Sequence, residues 1–362
     1  KVEKGRGLKK PKLERIGAKR AYCSPSKQSL GGTGVNTFSL KKPLIALVIL
    51  LIALLVFFGG YNLTKQAAVT EASEDTGLTI ATSFYPIYIM ALNLTKDVPG
   101  VELVNIAPPD VGCIHDIQFS TSDLKLLEKS DIFIINGLGM ENYLSRVFEN
   151  LPNLQVIDST ANLQLAVLVD SEHEHESDHG HANAQAHSPS HDNLNPHTWL
   201  SVSLAIEQVQ EIAEKLCLLD PANKEQYTKN AAEYVAKLEA LRTRMEQGLK
   251  NLSSKNIVVF QDAFAYFAEE FNLNVVAVVQ GDHGSELSAR ELAQAIEKIQ
   301  ENEVKAIFIS DESRRAAAET IAKETAAKVY LLNPATSGPL DADSYLQAME
   351  QNLQTLREAL AE

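Results

Sequence analysis

Short apolar runs bounded by turn residues alternate with amphipathic stretches in two separate parts of the chain. In the first part, "LTIATSFY" (78–85), "VELVNIA" (101–107), "DIFIING" (131–137) and "LQVID" (154–158) predict buried strands. Between two of them, "STSDLKLLEKS" (120–130) spaces its leucines along one face of a helix. The second part repeats the scheme with "NIVVFQD" (256–262), "NVVAVVQ" (274–280), "VKAIFIS" (304–310) and "KVYLL" (328–332), separated by the helical stretches "SARELAQAIEKIQEN" and "RRAAAETIAKETA". Strands alternating with helices in this way predict an α/β fold with mainly parallel sheets.

Between the two parts the period changes. From about Leu200 to Leu252 the chain turns helical, and "NKEQYTKNAAEYVAKLEALRTRMEQGLKNL" carries apolar residues at helical spacing over 30 residues, the length of a rigid strut. The expected organisation is a basic N-terminus and linker (1–77), an N-terminal α/β lobe (78–200), a helical segment with a long connecting helix (201–253) and a C-terminal α/β lobe (254–362). Open α/β sheets bind ligands beyond the carboxyl ends of their strands, so two such lobes facing each other predict a site in the cleft between them.

The N-terminus changes the picture of where the protein works. Residues 1–42 hold 12 Lys and Arg against Glu3 and Glu14, and "LIALVILLIALLVFF" (44–58) follows without a polar residue. A basic segment before an apolar run predicts an export signal or an N-terminal membrane anchor, with the rest of the chain extracytoplasmic, either cell-surface associated or secreted after cleavage. As a helix this run reaches roughly 22 Å, short of a hydrocarbon core of roughly 30 Å, so both readings stay open. Cys23 precedes the run, and no Cys follows it closely as a lipid acceptor. Residues 43–362 then carry 21 basic against 45 acidic residues, a net charge of −24, which repels nucleic acid and favours cations. Cys113 and Cys217 lie far apart in sequence and define no disulfide framework.

Seven of the nine histidines fall between Ser171 and Leu200. Six of them, His173, His175, His179, His181, His187 and His191, are interspersed with acidic and small residues in a low-complexity tract that cannot pack a core. Neutral imidazoles in an acidic loop make weak, multiple metal contacts, which suits metal collection near a cleft. His197 differs, standing at the edge of the tract in "NPHTWLS" just before a helix, while His115 follows a strand and a Pro/Gly-containing loop in "PPDVGCIHDIQFS".

Four motifs, "PPDVGCIHDIQFSTSDLKLLEKSDIFIINGLGMENYL", "NPHTWLS", "VVFQDAFAYFAEEFNL" and "AETIAKETAAKVYLL", resemble in order and setting the zinc and manganese solute-binding proteins of ABC importers, from about residue 78 to the C-terminus. The resemblance implies two α/β lobes joined by a long rigid helix, one divalent metal held between them, and handover to a membrane permease. The receptor expected on this reading is a monomer and needs no catalytic residue. His115 matches the first metal histidine of that family and His197 the second. Gln261 stands where the zinc members carry a histidine, and Asp311, or Glu312 beside it, matches the carboxylate ligand. His283 in "GDHGSEL" is a further candidate for the missing nitrogen, and Asp262 for a supporting or capping role. Two imidazoles, one carboxylate and an amide oxygen or water satisfy tetrahedral zinc, whereas exchanging an imidazole for an oxygen moves a site toward manganese. A zinc receptor is therefore the first reading and a manganese receptor the second. A metal-dependent hydrolase and a surface adhesin are the alternatives of other classes; no predicted helix carries an H-E-x-x-H pair, and neither a G-x-S-x-G elbow nor a P-loop is present.

Overall fold

A computed structural model describes residues 77–108, 120–165, 194–280 and 287–361, except for the side chains of Ser145 and Arg146. In chain order the first lobe comprises β1 (Leu78–Thr82), α1 (Tyr85–Leu94), β2 (Val101–Asn105), α2 (Thr121–Glu128), β3 (Ile132–Ile135), α3 (Ser145–Asn150) and β4 (Gln155–Asp158). Its strands form one parallel sheet in the order β2-β1-β3-β4, with Ile80 opposite both Leu103 and Ile132. The expected first strand stops three residues early. Pro86 lies in the first turn of α1, where its missing N–H and fixed φ suit a helix start, so Tyr85 begins a helix instead of ending a strand.

Two helices follow, α4 (Val202–Leu219) and α5 (Lys224–Leu249), separated at Asp220–Asn223, where Pro221 opens a short 3₁₀ turn. The helix α5 has 26 residues and so spans about 39 Å. The second lobe comprises β5 (Asn256–Val259), α6 (Ala265–Glu270), β6 (Asn274–Val278), α7 (Ala289–Glu301), β7 (Ala306–Ile309), α8 (Arg315–Thr325), β8 (Lys328–Leu331) and α9 (Ser344–Leu360). Its parallel sheet has the order β6-β5-β7-β8, the same pattern as the first. The starts of α2 and α7 are closed by capping boxes, Ser120 with Asp123 and Ser288 with Glu291, in which side chains answer the N–H groups that a helix N-terminus leaves unmatched.

In both sheets the chain runs first to one side of the opening strand and then crosses to the other. The crevices between the carboxyl ends of β1 and β3, and of β5 and β7, are therefore the switch points where α/β sheets bind ligands. The largest apolar cluster lies between the lobes and is continuous from Ile80 and Trp199 through Tyr234 and Leu241 of α5 to Phe264 and Met349. Smaller clusters cover the outer faces of the sheets, around Phe133 in the first lobe and Ile307 in the second. Among the described residues no helix is long and apolar enough to cross a membrane. The basic N-terminus and the run 44–58 lie outside them.

Candidate metal centre

His197 sits on a segment that both lobes grip. Pro196 offers no N–H, Thr198–Leu200 form a single 3₁₀ turn, and the Ser201 hydroxyl accepts the Leu204 N–H at 3.2 Å to start α4. Trp199 is fully buried; its ring meets Phe84 edge-on with centroids 5.0 Å apart and lies 5.2 Å from the His197 ring. The Trp199 Nε1–H donates to Pro334 O at 2.9 Å, and its own carbonyl accepts the Tyr345 hydroxyl at 2.7 Å, so the second lobe holds this turn from two directions. Ser203 at the start of α4 donates its N–H and its hydroxyl to Glu270 Oε1 at 3.0 and 2.6 Å.

The imidazole is only 7% exposed. Asn195 Oδ1 lies 2.9 Å from the His197 backbone N and 2.8 Å from its Nδ1. Asn195 Nδ2 donates to the Asp262 carbonyl at 2.7 Å and to its carboxylate at 2.9 Å. Two acceptors facing one end of the amide and a backbone donor facing the other leave a single assignment of its oxygen and nitrogen. Because an amide oxygen only accepts, Nδ1 of His197 carries a proton, so in the neutral imidazole the lone pair that a metal requires lies on Nε2.

From the first lobe a buried polar network supports the same segment. Asn136, immediately after β3, donates from Nδ2 to Pro196 O at 2.9 Å, and its Oδ1 accepts Gln208 Nε2 at 3.2 Å. Gln208 also donates to Ser159 Oγ at 2.8 Å and accepts the Thr198 hydroxyl at 3.1 Å. The backbone N–H groups of Asn136 and Gly137 both donate to the Glu141 carboxylate, at 2.8 and 3.0 Å. Gly137 adopts φ +95°, and a Cβ there would meet Asp158 Oδ1 at 2.1 Å, so the turn that brings these amides together requires glycine.

Burial pushes the Glu141 carboxyl from its ordinary 4.5 up to about 7, against the opposing pull of the two amide donors. Between these values the folded chain keeps a proton that the unfolded chain has released, so stability falls as pH rises from about 4.5 to about 7, by about 3 kcal/mol in total. Urea unfolding at pH 5 and pH 7 measures this. The wild type should lose stability across the interval and Glu141→Gln should lose distinctly less; equal losses would remove Glu141 as the source.

On the second lobe Gln261 and Asp311 occupy matching places. Each lies two residues beyond its strand, β5 or β7, in extended backbone (φ −156° and −150°), and each is followed by a 3₁₀ turn that leads into a helix. They thus stand at the carboxyl ends of the two strands that flank the switch point. Gln261 is half-buried, whereas Asp311 is exposed and accepts the Ser313 N–H at 2.9 Å and the Ser313 hydroxyl. The Glu312 carboxylate is paired with Arg315, accepting from its Nε and Nη2 at 2.5 and 2.8 Å, which lowers its pKa. Asp262 is joined to the His197 segment through Asn195, which brings the Gln261 loop against it.

His115, His283 and the six tract histidines, His173 to His191, lie outside the described residues. Among the described residues no three His, Cys, Asp or Glu side chains converge as a metal-sized group. Asn195, Asn136 and Gln208 escape a reading of the sequence because ordinary amides carry no chemical signature. The one legible hint is an Asn two residues before a His, the spacing of a side-chain turn.

A family model described as the periplasmic component A of the zinc-uptake complex matches residues 80–359. The chain is 30% identical over 296 residues to the zinc-binding lipoprotein AdcA of Streptococcus pneumoniae, a match that takes in 81% of this chain and 58% of that longer protein. It is 31% identical over 311 residues to the high-affinity zinc uptake system protein ZnuA of Bacillus subtilis, covering 85% and 94% of the two chains. Among solved structures, the SBP FpvC of Pseudomonas aeruginosa in complex with Mn2+ superposes with a TM-score of 0.65 at 29% identity, over 78% of this chain and 98% of that one. Two parallel-sheet lobes joined by a long helix, with a match running through both, assign the chain to the family of the periplasmic component A of zinc-uptake complexes.

Proposed function

We propose that the protein is an extracytoplasmic receptor that captures one divalent metal, zinc in first place, and passes it to the permease of an ABC transporter. The observation that carries this reading is the His197 imidazole, which is buried, presents Nε2 as its lone-pair nitrogen and is tied through Asn195 to the loop bearing Gln261. We assign the metal to His115, His197, Gln261 and Asp311, with Glu312 set aside by its pairing with Arg315. His283 is the alternative to Gln261. The histidine tract collects metal for this site, and the N-terminal segment takes the monomeric receptor out of the cytoplasm, as a retained anchor or as a cleaved export signal. Binding and release need no catalytic residue. Metal affinity depends on deprotonated ligands, so capture weakens in acid.

Manganese is the second reading, favoured by the neutral oxygen that Gln261 offers in place of an imidazole. Isothermal titration of the metal-free full-length chain, with zinc and manganese in competition, decides between them. Zinc is expected to bind more tightly, and tighter manganese binding would reverse the assignment. In the same experiment Gln261→His should shift preference further toward zinc, by on the order of tenfold, because nitrogen suits zinc better than an amide oxygen does. An unchanged zinc-to-manganese ratio would take Gln261 out of the coordination shell.

A further inference from the structure

We propose that Asn195 and Asp262 are positioning residues that decide which nitrogen of His197 binds the metal. The inference rests on the reading of His197 as a ligand. Imidazole in water places its proton mainly on Nε2, which would aim the lone pair at Nδ1, toward the chain's own backbone. Here Asn195 Oδ1 accepts from both the backbone N–H and Nδ1 of His197, at 2.9 and 2.8 Å, and so stabilises the opposite tautomer. Rotating the Asn195 amide by half a turn would bring Nδ2 against those two donors. It would also turn Oδ1 toward the Asp262 carbonyl and carboxylate, which now accept from Nδ2 at 2.7 and 2.9 Å. Asp262 therefore holds the amide in its working orientation, and its negative charge, relayed through the amide, makes Nε2 a better donor to a cation.

The relay also crosses the molecule. Asn195 stands on the segment that leads into α4, and Asp262 on the turn after β5 of the second lobe, next to Gln261. Separation of the two segments would remove the acceptors from Nδ2, free the amide to rotate and withdraw the lone pair from the metal side. Seating of the Gln261 loop against the His197 segment and readiness of His197 to bind are thus one event.

The test uses the metal-free full-length chain with 15N-labelled histidine, and the His197 signals are identified by their loss in His197→Ala. Nitrogen chemical shifts separate the two neutral tautomers. The wild type should hold its proton on Nδ1. Asn195→Ala should move it toward Nε2 and lower zinc affinity by about 10- to 100-fold in isothermal titration, the range expected for the supporting partner of a metal histidine. Asp262→Ala, which leaves the backbone carbonyl in place, should produce a smaller change in the same two readouts, and it serves as the test if Asn195→Ala does not fold. A wild-type proton on Nε2 would overturn the proposal. So would zinc affinity unchanged by Asn195→Ala while His197→Ala abolishes binding. If His197→Ala leaves zinc affinity intact, the ligand reading fails and the metal role of the relay fails with it, whichever tautomer the spectrum shows.

Discussion

Zinc affinity is expected to fall by at least on the order of a hundredfold in His197→Ala, and by a similar factor in His115→Ala. The size follows from sharing roughly 10 to 16 kcal/mol of zinc binding among about four ligands, which leaves roughly 3 kcal/mol for each. His197 is 7% exposed and is fixed at its backbone N–H and at Nδ1 by Asn195 Oδ1, so its ring is held in one place. The readout is built into the chain, because Trp199 is its only tryptophan and its ring lies 5.2 Å from the imidazole. A zinc titration of the wild type should change Trp199 emission at low metal, and both variants should require far higher concentrations. A flat wild-type titration would count heavily against a metal at His197.

The largest loss of stability is expected from Trp199→Ala. The indole is fully buried, packs edge-on against Phe84, and donates to Pro334 on the opposite lobe. Its removal leaves a cavity between the lobes and an unanswered carbonyl, at a cost of about 3 to 5 kcal/mol. Denaturant unfolding should show the midpoint lowered with an unaltered slope. Trp199→Phe keeps most of the ring volume and should recover much of the loss, with the hydrogen bond to Pro334 accounting for the remainder. A loss below about 1 kcal/mol in Trp199→Ala would mean that the seam closes over the vacancy and that the tryptophan is not its anchor.

The two-lobe architecture was legible because its sheets are built from short apolar runs closed by turn residues, which mark strands even where their ends slip by a few positions. Four helices were not: α1, α9 and the six-residue α3 and α6, which are too short to show a period. The "YPIYIMALNL" stretch of α1 is apolar on nearly every face, since it is buried between its sheet and α5, and so it shows no helical period. The C-terminal helix α9 went unread, although it carries a regular buried face at Tyr345, Met349, Leu353 and Leu356. The histidine of "NPHTW" could be singled out from its motif. What orients it could not, because Asn195 and Asp262 are 67 residues apart and only the folded chain brings them within hydrogen-bond distance. The structure likewise separates Asp311 from Glu312: neighbours in sequence, one stands at a strand end by the switch point and the other is taken up by Arg315.

The helix α5 is joined to each lobe by its own contacts. Near its start Asn230 donates to the carbonyls of Leu94 and Lys96 at 2.8 and 2.7 Å, and near its end Gly248 lies so close to Leu353 of α9 that an added Cβ would meet that side chain at 2.8 Å. One apolar cluster runs past this helix from sheet to sheet. A chimaera that took one lobe from a distant relative would set two unmatched surfaces against the same helix, and the misfit would be felt across the whole molecule. Single substitutions at Gln261 and Asp311, which stand just beyond β5 and β7 outside that cluster, leave the surface in place. On the proposed assignment of the metal to these strand ends, a change of metal preference therefore needs only single substitutions there and no exchange of a lobe.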